Sequence, residues 1–364
     1  MELQKLSLRS FRSYEALELD FPSGLTAIRG PNGVGKSNLL EAIGYLSTLK
    51  SFRGVPSEAL VNSHADSAVI RADVIDPQNR PALIEMEIAR SARSRTQVNK
   101  VRLKRGRDLL SSLVVSVFSP DDLKLIKDGP GIRRDYLDDV LAALRRTNGE
   151  VALDWEKALK QRNALLKQIG FRARLPLGEP EATTLEVWNS KASEAGEALV
   201  AMRENLVVSM TPVVTTAYRD LSGGTDSVVL RYRRSWDGSL GTALNDGIGE
   251  DLKRGTTQRG PHRDELEVWL NELPARTSAS QGEQRCLSLA LRLAAHRELA
   301  RVLESPPVLL LDDVFSELDP ERSSALLLSL PQGQAFLSTA SALPIGCSPD
   351  LELSVGDGNA IPVQ

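Results

Sequence analysis

The chain has 364 residues, 26% of them charged and 41% hydrophobic, with a formal net charge of −3. That is room for about two domains with ordinary cores, and it excludes a general electrostatic attraction to nucleic acid, so any such binding must come from local patches. No apolar run reaches about 18 residues, Met1–Lys5 is not a basic-then-apolar leader, and Cys286 and Cys347 are too few for a disulfide or zinc framework, so a cytoplasmic protein with no membrane partner is expected.

Residues 2–28 read as strands. Leu6 and Leu8 alternate with Ser7 and Arg9, Ala16 to Phe21 form a second run, and Pro22-Ser23-Gly24 turns into a third. Arg12 and Tyr14 lie in the connection, either within reach of a nucleotide base or α-phosphate or on a solvated surface. Gly24–Arg29 is a short apolar run that suits a buried parallel strand. It leads into Gly30, Pro31, Asn32, Gly33, Val34, Gly35, Lys36 and Ser37, a G-x-x-x-x-G-K-[ST] loop followed by Asn38. Leu39, Leu40, Ile43 and Leu46 then fall at helical spacing. Strand, glycine loop and helix together aim backbone N–H groups and a helix N-terminus at one anion. Lys36 is placed to bridge outer phosphates, and the Ser37 hydroxyl to ligate Mg²⁺.

Val69–Val74 and Ala82–Ile88 alternate like strands around an Asp76-Pro77-Gln78-Asn79 turn. Between Arg90 and Arg107 the charge turns basic. Arg90, Arg93, Arg95, Lys100, Arg102, Lys104, Arg105 and Arg107 occur with no Asp or Glu among them, and the alternation at 97–104 suggests a strand or hairpin. Cations on a ribbon suit phosphate contacts, and the alternative is a solvated face.

Leu113–Phe118 is a β-type apolar run ending at Ser119-Pro120-Asp121-Asp122. Helical patterns follow. Tyr136, Leu137, Val140, Leu141 and Leu144 share one face; Trp155, Leu159, Leu166 and Ile169 share another, with Gly170 as the stop. Thr183 is the expected cap of a long helix carrying Leu185, Trp188, Ala192, Ala195, Leu199, Met202 and Leu206, and Pro212 its expected end. Roughly 120–210 is thus a helical insertion. Val228–Arg234 reads as a basic strand, and the glycines at 238, 241, 247 and 249 predict a loop-rich segment after it.

Val308–Leu311 is an apolar run ending in Asp312 and Asp313, where a doubly wound sheet places ligands. Asp312 suits the Mg²⁺ shell, and Asp313 suits orienting or deprotonating an attacking water. Upstream, Ser280, Gln281, Gly282 and Glu283 open a strong helix. Ser280 and Glu283 form a capping box, and the stretch also matches the signature of ABC-type ATPases, where this helix start meets the γ-phosphate held by a second subunit. Asp319, in Ser316-Glu317-Leu318-Asp319, falls at D-loop spacing and is expected at a dimer seam. Thr339 stands where transporter ATPases carry a switch histidine. Lys36 and Ser280 are about 240 residues apart, so the ATPase head is split. The expected division is a first head part over 1–118, an inserted, mainly helical arm over 119–250, and a second head part over 251–364.

The chain resembles the RecF family of SMC-like ABC ATPases. The resemblance rests on Leu8–Tyr14, the phosphate loop, Phe118–Leu123, Arg133–Asp138, Gln161-Arg162-Asn163, Thr257–Asp264, the Ser-Gln-Gly-Glu-Gln signature and the Leu-Leu-Asp-Asp strand. It implies a split α/β ABC-type head with an inserted helical arm. It also implies ATP and Mg²⁺ as cofactors, ATP-dependent homodimerisation on double-stranded, gapped or junction DNA, weak ATP hydrolysis, and work with RecO and RecR to place RecA on gaps, at the nucleoid. Arg12, Gly30–Asn38, Asp312 and Asp313 are its expected nucleotide site. Asp313 departs from the usual ABC glutamate by one methylene, which predicts slow hydrolysis. His262 is expected to contact phosphate or an interface, the alternative being a packed histidine near a turn. Two rival functions are a transport-coupled ATPase and an SMC-type tether. The absent switch histidine and the basic run weigh against the first, and the short arm against the second.

Overall fold

The computed structural model describes residues 1–103, 106–170, 177–356 and 358–363; the side chains of Arg107 and Ser111 fall outside that description. Lys104 and Arg105, two of the expected DNA contacts, lie outside the described residues. The chain divides into two compact units. One comprises Met1–Leu123, Thr216–Thr225 and Gln281–Gln364; the other comprises Lys124–Thr215 and Asp226–Ser280.

In the first unit, β1 (Glu2–Phe11), β2 (Tyr14–Asp20) and β3 (Leu25–Arg29) precede α1 (Lys36–Thr48), and β4 (Ser67–Ile75), β5 (Pro81–Ala89), β6 (Arg95–Val98), β7 (Val101–Arg102) and β8 (Val115–Phe118) follow. Six of these strands form an antiparallel sheet ordered β2-β1-β4-β5-β6-β7. Leu3 and Leu6 are both buried although they stand three positions apart, an odd offset that places side chains on opposite faces of a regular strand. A bulge between Leu3 and Lys5 supplies the extra residue that keeps both on the core face. The β6–β7 turn holds Asn99 and Lys100 at φ 51 and 65, the left-handed pair of a tight hairpin.

The second unit contains α2 (Lys124–Lys127), α3 (Pro130–Leu144), α4 (Arg146–Ile169) and most of α5 (Glu179–Ser222), then β9 (Val228–Arg233), α6 (Leu240–Asp246), α7 (Ile248–Arg254), β10 (Glu265–Leu270), β11 (Leu273–Pro274) and α8 (Ala275–Ser278). It therefore reaches about thirty residues beyond the expected arm of 119–250. The reason is pairing: β10 runs antiparallel to β9 along its whole length, and the fully buried Arg162 donates to Asp251, Thr257 and Asn189, each at 2.7 Å. α5 also departs from expectation at both ends. It begins before Thr183, with Pro180 in its first turn, where a proline's missing N–H costs nothing. It continues through Pro212, which was expected to end it. An interior proline costs about 3 kcal/mol. Met210, Val214, Ala217, Tyr218 and Leu221 are buried along one helical stripe, which outweighs that cost at about 1.5–3 kcal/mol for each large side chain. The glycine-rich segment expected to be loop folds into α6 and α7. Ser239 caps α6 by accepting from the Thr242 N–H, and Gly255 at φ 64 ends α7.

The chain returns to the first unit with α9 (Gln281–Leu303), β12 (Val308–Asp312), α10 (Pro320–Ser329), β13 (Ala335–Thr339), β14 (Leu351–Gly356) and β15 (Asn359–Pro362). A second six-stranded sheet is ordered β15-β14-β3-β13-β12-β8, parallel except for the β14–β15 hairpin. Every residue of β12 and β13 is buried, as continuous apolar runs in a sheet covered on both faces require. β13 lies between β3 and β12. The strand feeding the glycine loop and the strand ending in the two acids are therefore not neighbours.

Candidate nucleotide site

The loop from Gly30 to Ser37 leaves the C-terminal end of β3 and enters α1. Gly35 caps the helix at φ 116, and a Cβ there would sit 2.7 Å from Ser13 Oγ. Gly30 lies against backbone, where a Cβ would meet the Val355 carbonyl at 2.5 Å. Below the loop, the buried Tyr14 hydroxyl donates to the Gly35 carbonyl at 3.0 Å. Tyr14 is therefore a support of the loop and not solvated surface. Pro31, Asn32 and Gly33 are exposed and form the open lip.

Lys36 Nζ donates to the carbonyls of Gly30 and Pro31, both at 2.8 Å. Burial pushes its pKa down, and the carboxylates of Asp313 and Asp312 oppose that shift. Ser37 Oγ donates to Asp312 Oδ1 at 2.8 Å, although the two are 275 positions apart. Asp312 Oδ1 also accepts from Ser338 Oγ at 2.7 Å. Asp313 takes the left-handed conformation at φ 51, and its Oδ1 is buried without a hydrogen-bond partner among the described residues. A hydroxyl, two carboxylates and a lysine thus converge at the C-terminal edge of a parallel sheet, where such folds bind ligands. Oxygen donors of this kind fit a hard divalent cation, and the orphaned Asp313 oxygen is the feature such a site leaves for a ligand or a water.

Arg12, expected at the nucleotide, is paired with α1. Its Nε and Nη2 donate to Glu41 of α1 at 2.8 and 2.9 Å, and the Glu41 side chain is fully buried. Asn38 donates to Ser13 Oγ at 3.0 Å and accepts from Arg53 at 3.3 Å. The signature residues form a second cluster. Ser280 is exposed and immediately precedes α9. A Cβ on Gly282 would lie 2.8 Å from the Arg322 guanidinium, which pairs with Asp319 at 3.3 Å. Asp319 in turn caps α10 by accepting from the Arg322 N–H. The Arg285 guanidinium ties α9 to the Glu317 carbonyl at 2.6 Å.

The basic run divides. Arg90 donates to the carbonyls of Val61, Asn62 and Ala65 and is committed to the fold. Arg93, Arg95, Lys100 and Arg102 are exposed on and beside the β6–β7 hairpin. In register, Arg95 stands opposite Glu87, and Arg102 opposite Gln97, which itself donates to Glu85. Acids from β5 therefore face a stretch that looked unopposed in the linear sequence.

His262 is packed. Its Nε2 lies 3.0 Å from the Thr257 carbonyl, its ring stacks obliquely on Trp155 at 5.6 Å, and burial holds its pKa down at about 4. Its neighbours in the motif are also scaffolding. Asp264 accepts from the Tyr232 hydroxyl and the Ser235 N–H, its carbonyl accepts from Arg134, and Arg203 donates to the Pro261 carbonyl and to both oxygens of Asp138. Sequence reasoning missed the loop support from Tyr14, the Arg12–Glu41 pair and the hydroxyl of Ser338. A serine ending a buried apolar strand was the available signal for the last.

This fold and site define an ABC-type ATPase head of the SMC class. A family model described as RecF/RecN/SMC N terminal domain matches residues 2–338. The DNA replication and repair protein RecF of Streptomyces avermitilis is 39% identical over 351 residues, covering 94% of each chain. A solved structure of the recombination mediator protein RecF with ATP is 29% identical with a TM-score of 0.90, covering 100% of this chain and 97% of that one. An Smc head bound to a ScpA domain, 20% identical with a TM-score of 0.60 and covering 100% and 97%, shares the fold. The chain belongs to the RecF family of DNA replication and repair proteins. Among the described residues no helix is long and apolar enough to cross a membrane.

Proposed function

We propose that this chain is an ATP-dependent DNA-binding protein of recombinational repair, and that two copies enclose two ATP molecules. Each nucleotide lies between the Lys36 loop of one copy and the Ser280-led helix of the other. The observation that carries the reading is the Ser37–Asp312 hydrogen bond beside the Asp313 oxygen that has no hydrogen-bond partner among the described residues. Loop N–H groups from Gly30 to Asn38 and the α1 N-terminus take the phosphates, and Lys36 neutralises the outer ones. Ser37 and Asp312 hold Mg²⁺, which screens phosphate charge when bound. Asp313 orients or deprotonates the attacking water, slowly, because its side chain is one methylene shorter than a glutamate. Gln281, Gly282 and Glu283 present the helix N-terminus to the partner's ATP, with Asp319 at the seam.

ATP then acts mainly as a ligand that shifts a monomer–dimer equilibrium, and hydrolysis reverses it. The exposed Arg93, Arg95, Lys100 and Arg102 contribute phosphate contacts to duplex or gapped DNA. The RecF relatives are described in a RecFOR pathway, which supports RecR and RecO as partners, RecA loading as the outcome, and a cytoplasmic, nucleoid-associated location. Ser280→Arg tests the composite site. It should bind ATP as wild type does yet fail to dimerise in sedimentation, and ATP-driven dimerisation retained in the variant overturns the reading. Duplex binding with and without ATP across a salt series tests the clamp: ATP enhancement with a steep salt slope is expected, and ATP-indifferent binding refutes it.

A further inference from the structure

A chain of hydrogen bonds joins the loop serine to the second acid, and its middle member is Ser338. The Ser338 hydroxyl donates to Asp312 Oδ1 at 2.7 Å and accepts from the Asp313 N–H at 3.1 Å. On the other side, Ser37 donates to the same Asp312 oxygen at 2.8 Å. Ser338 is 1% exposed and stands opposite Asp312 in the β12–β13 register. Strand order accounts for this, because β13 is inserted between β3 and β12 and its C-terminal end falls between the loop and the acids. A hydroxyl has one proton and two lone pairs. Here the proton goes to one acid, and a lone pair shares the backbone N–H of the other with the Ser338 carbonyl, which that N–H reaches at 3.2 Å. Asp313 keeps a left-handed backbone that non-glycine residues seldom adopt, so an added anchor on its N–H bears on where its carboxylate points.

We propose that Ser338 is the positioning residue of the two-acid site: it fixes Asp312 Oδ1 alongside Ser37 and anchors Asp313 in the conformation that leaves its carboxylate free. The proposal rests on the reading that Ser37, Asp312 and Asp313 serve a cation-dependent nucleotide site. Asp312, held by two hydroxyls, keeps one orientation toward a cation, and Asp313 keeps one orientation toward water. Neighbours that orient metal-binding groups typically contribute 10–100-fold to metal affinity or activity.

The test compares wild type, Ser338→Ala and Ser338→Thr. Mn²⁺ binding is followed by electron paramagnetic resonance in the presence of ATP, fluorescent-nucleotide binding is measured without divalent cation, and kcat is measured at saturating Mg²⁺. Ser338→Ala should raise the Mn²⁺ half-saturation about tenfold and lower kcat about tenfold, with cation-free nucleotide binding unchanged. Ser338→Thr, which keeps the hydroxyl, should recover both. If Ser338→Ala unfolds early without nucleotide, Ser338→Cys carries the same comparison, since it keeps the volume and donates weakly. Equal Mn²⁺ titrations for wild type and the hydroxyl-less variant overturn the proposal, as does a threonine variant as defective as alanine. A wild-type protein whose nucleotide site ignores divalent cations overturns the underlying reading instead.

Discussion

Replacing Arg12 by alanine separates two roles that the chain could give this residue. Its guanidinium makes a two-pronged contact with Glu41, whose side chain has no solvent exposure. Deleting one partner of a buried pair leaves an uncompensated charge and costs about 3–5 kcal/mol. Arg53 remains 3.9 Å from the same carboxylate, and Ser51 donates to it, so the lower end of that range, about 3 kcal/mol, is expected. At roughly 2–4 °C per kcal/mol for a domain of this size, the melting temperature falls by about 6–12 °C. Adding Glu41→Gln removes the stranded charge and should restore more than half of the loss. Thermal denaturation of the single and double variants measures this, alongside titration with a fluorescent ATP analogue. Nucleotide affinity should change by less than about threefold, under 1 kcal/mol. An Arg12→Ala protein that melts like wild type but binds the analogue more than about tenfold weaker would refute the structural role and make Arg12 a nucleotide ligand.

Acid stability depends on buried histidines. His296 on α9 is 1% exposed, neither ring nitrogen has a partner among the described residues, and burial, with Arg297 nearby, lowers its pKa to about 4. The unfolded chain takes up a proton below about pH 6.5 and the folded chain only near pH 4, so stability is full above 6.5 and is lost as pH falls toward 4, by about 2 kcal/mol per such histidine at pH 5. His296→Leu should flatten this limb in urea unfolding measured against pH, and an unchanged slope would contradict the assignment. On the basic hairpin, Arg95→Ala with Arg102→Ala should weaken duplex binding and lower the slope of log K against log salt by about 0.9 per lost phosphate contact. Nucleotide binding should be unchanged, and an unaltered salt slope would remove the hairpin from the interface.

The glycine loop could be read because its chemistry is contiguous. Gly30 to Ser37 supply glycines, lysine and hydroxyl in one short stretch, and the strand before and the helix after declare themselves by local periodicity. Asp312 and Asp313 were legible for the same reason, as acids ending an apolar run. Pro212 shows where local rules stop. Its helix-breaking tendency is real, but the burial that overrides it is distributed over five side chains. The basic run shows the same limit. Its linear freedom from acids said nothing about Glu85 and Glu87 across the sheet. His262 and Asp264, within the motif that looked most diagnostic, serve packing and hydrogen bonds inside their own unit.

By itself, then, the amino-acid order determined the phosphate loop, the acid pair, the split head and the family. Only the tertiary structure decided that β13 lies between the loop strand and the acid strand, and hence that Ser338 joins the Asp312 carboxylate to the backbone N–H of Asp313. The physical reason is that periodicity and propensity act over a few residues, whereas strand order is settled by hydrogen bonds and buried faces between segments hundreds of positions apart.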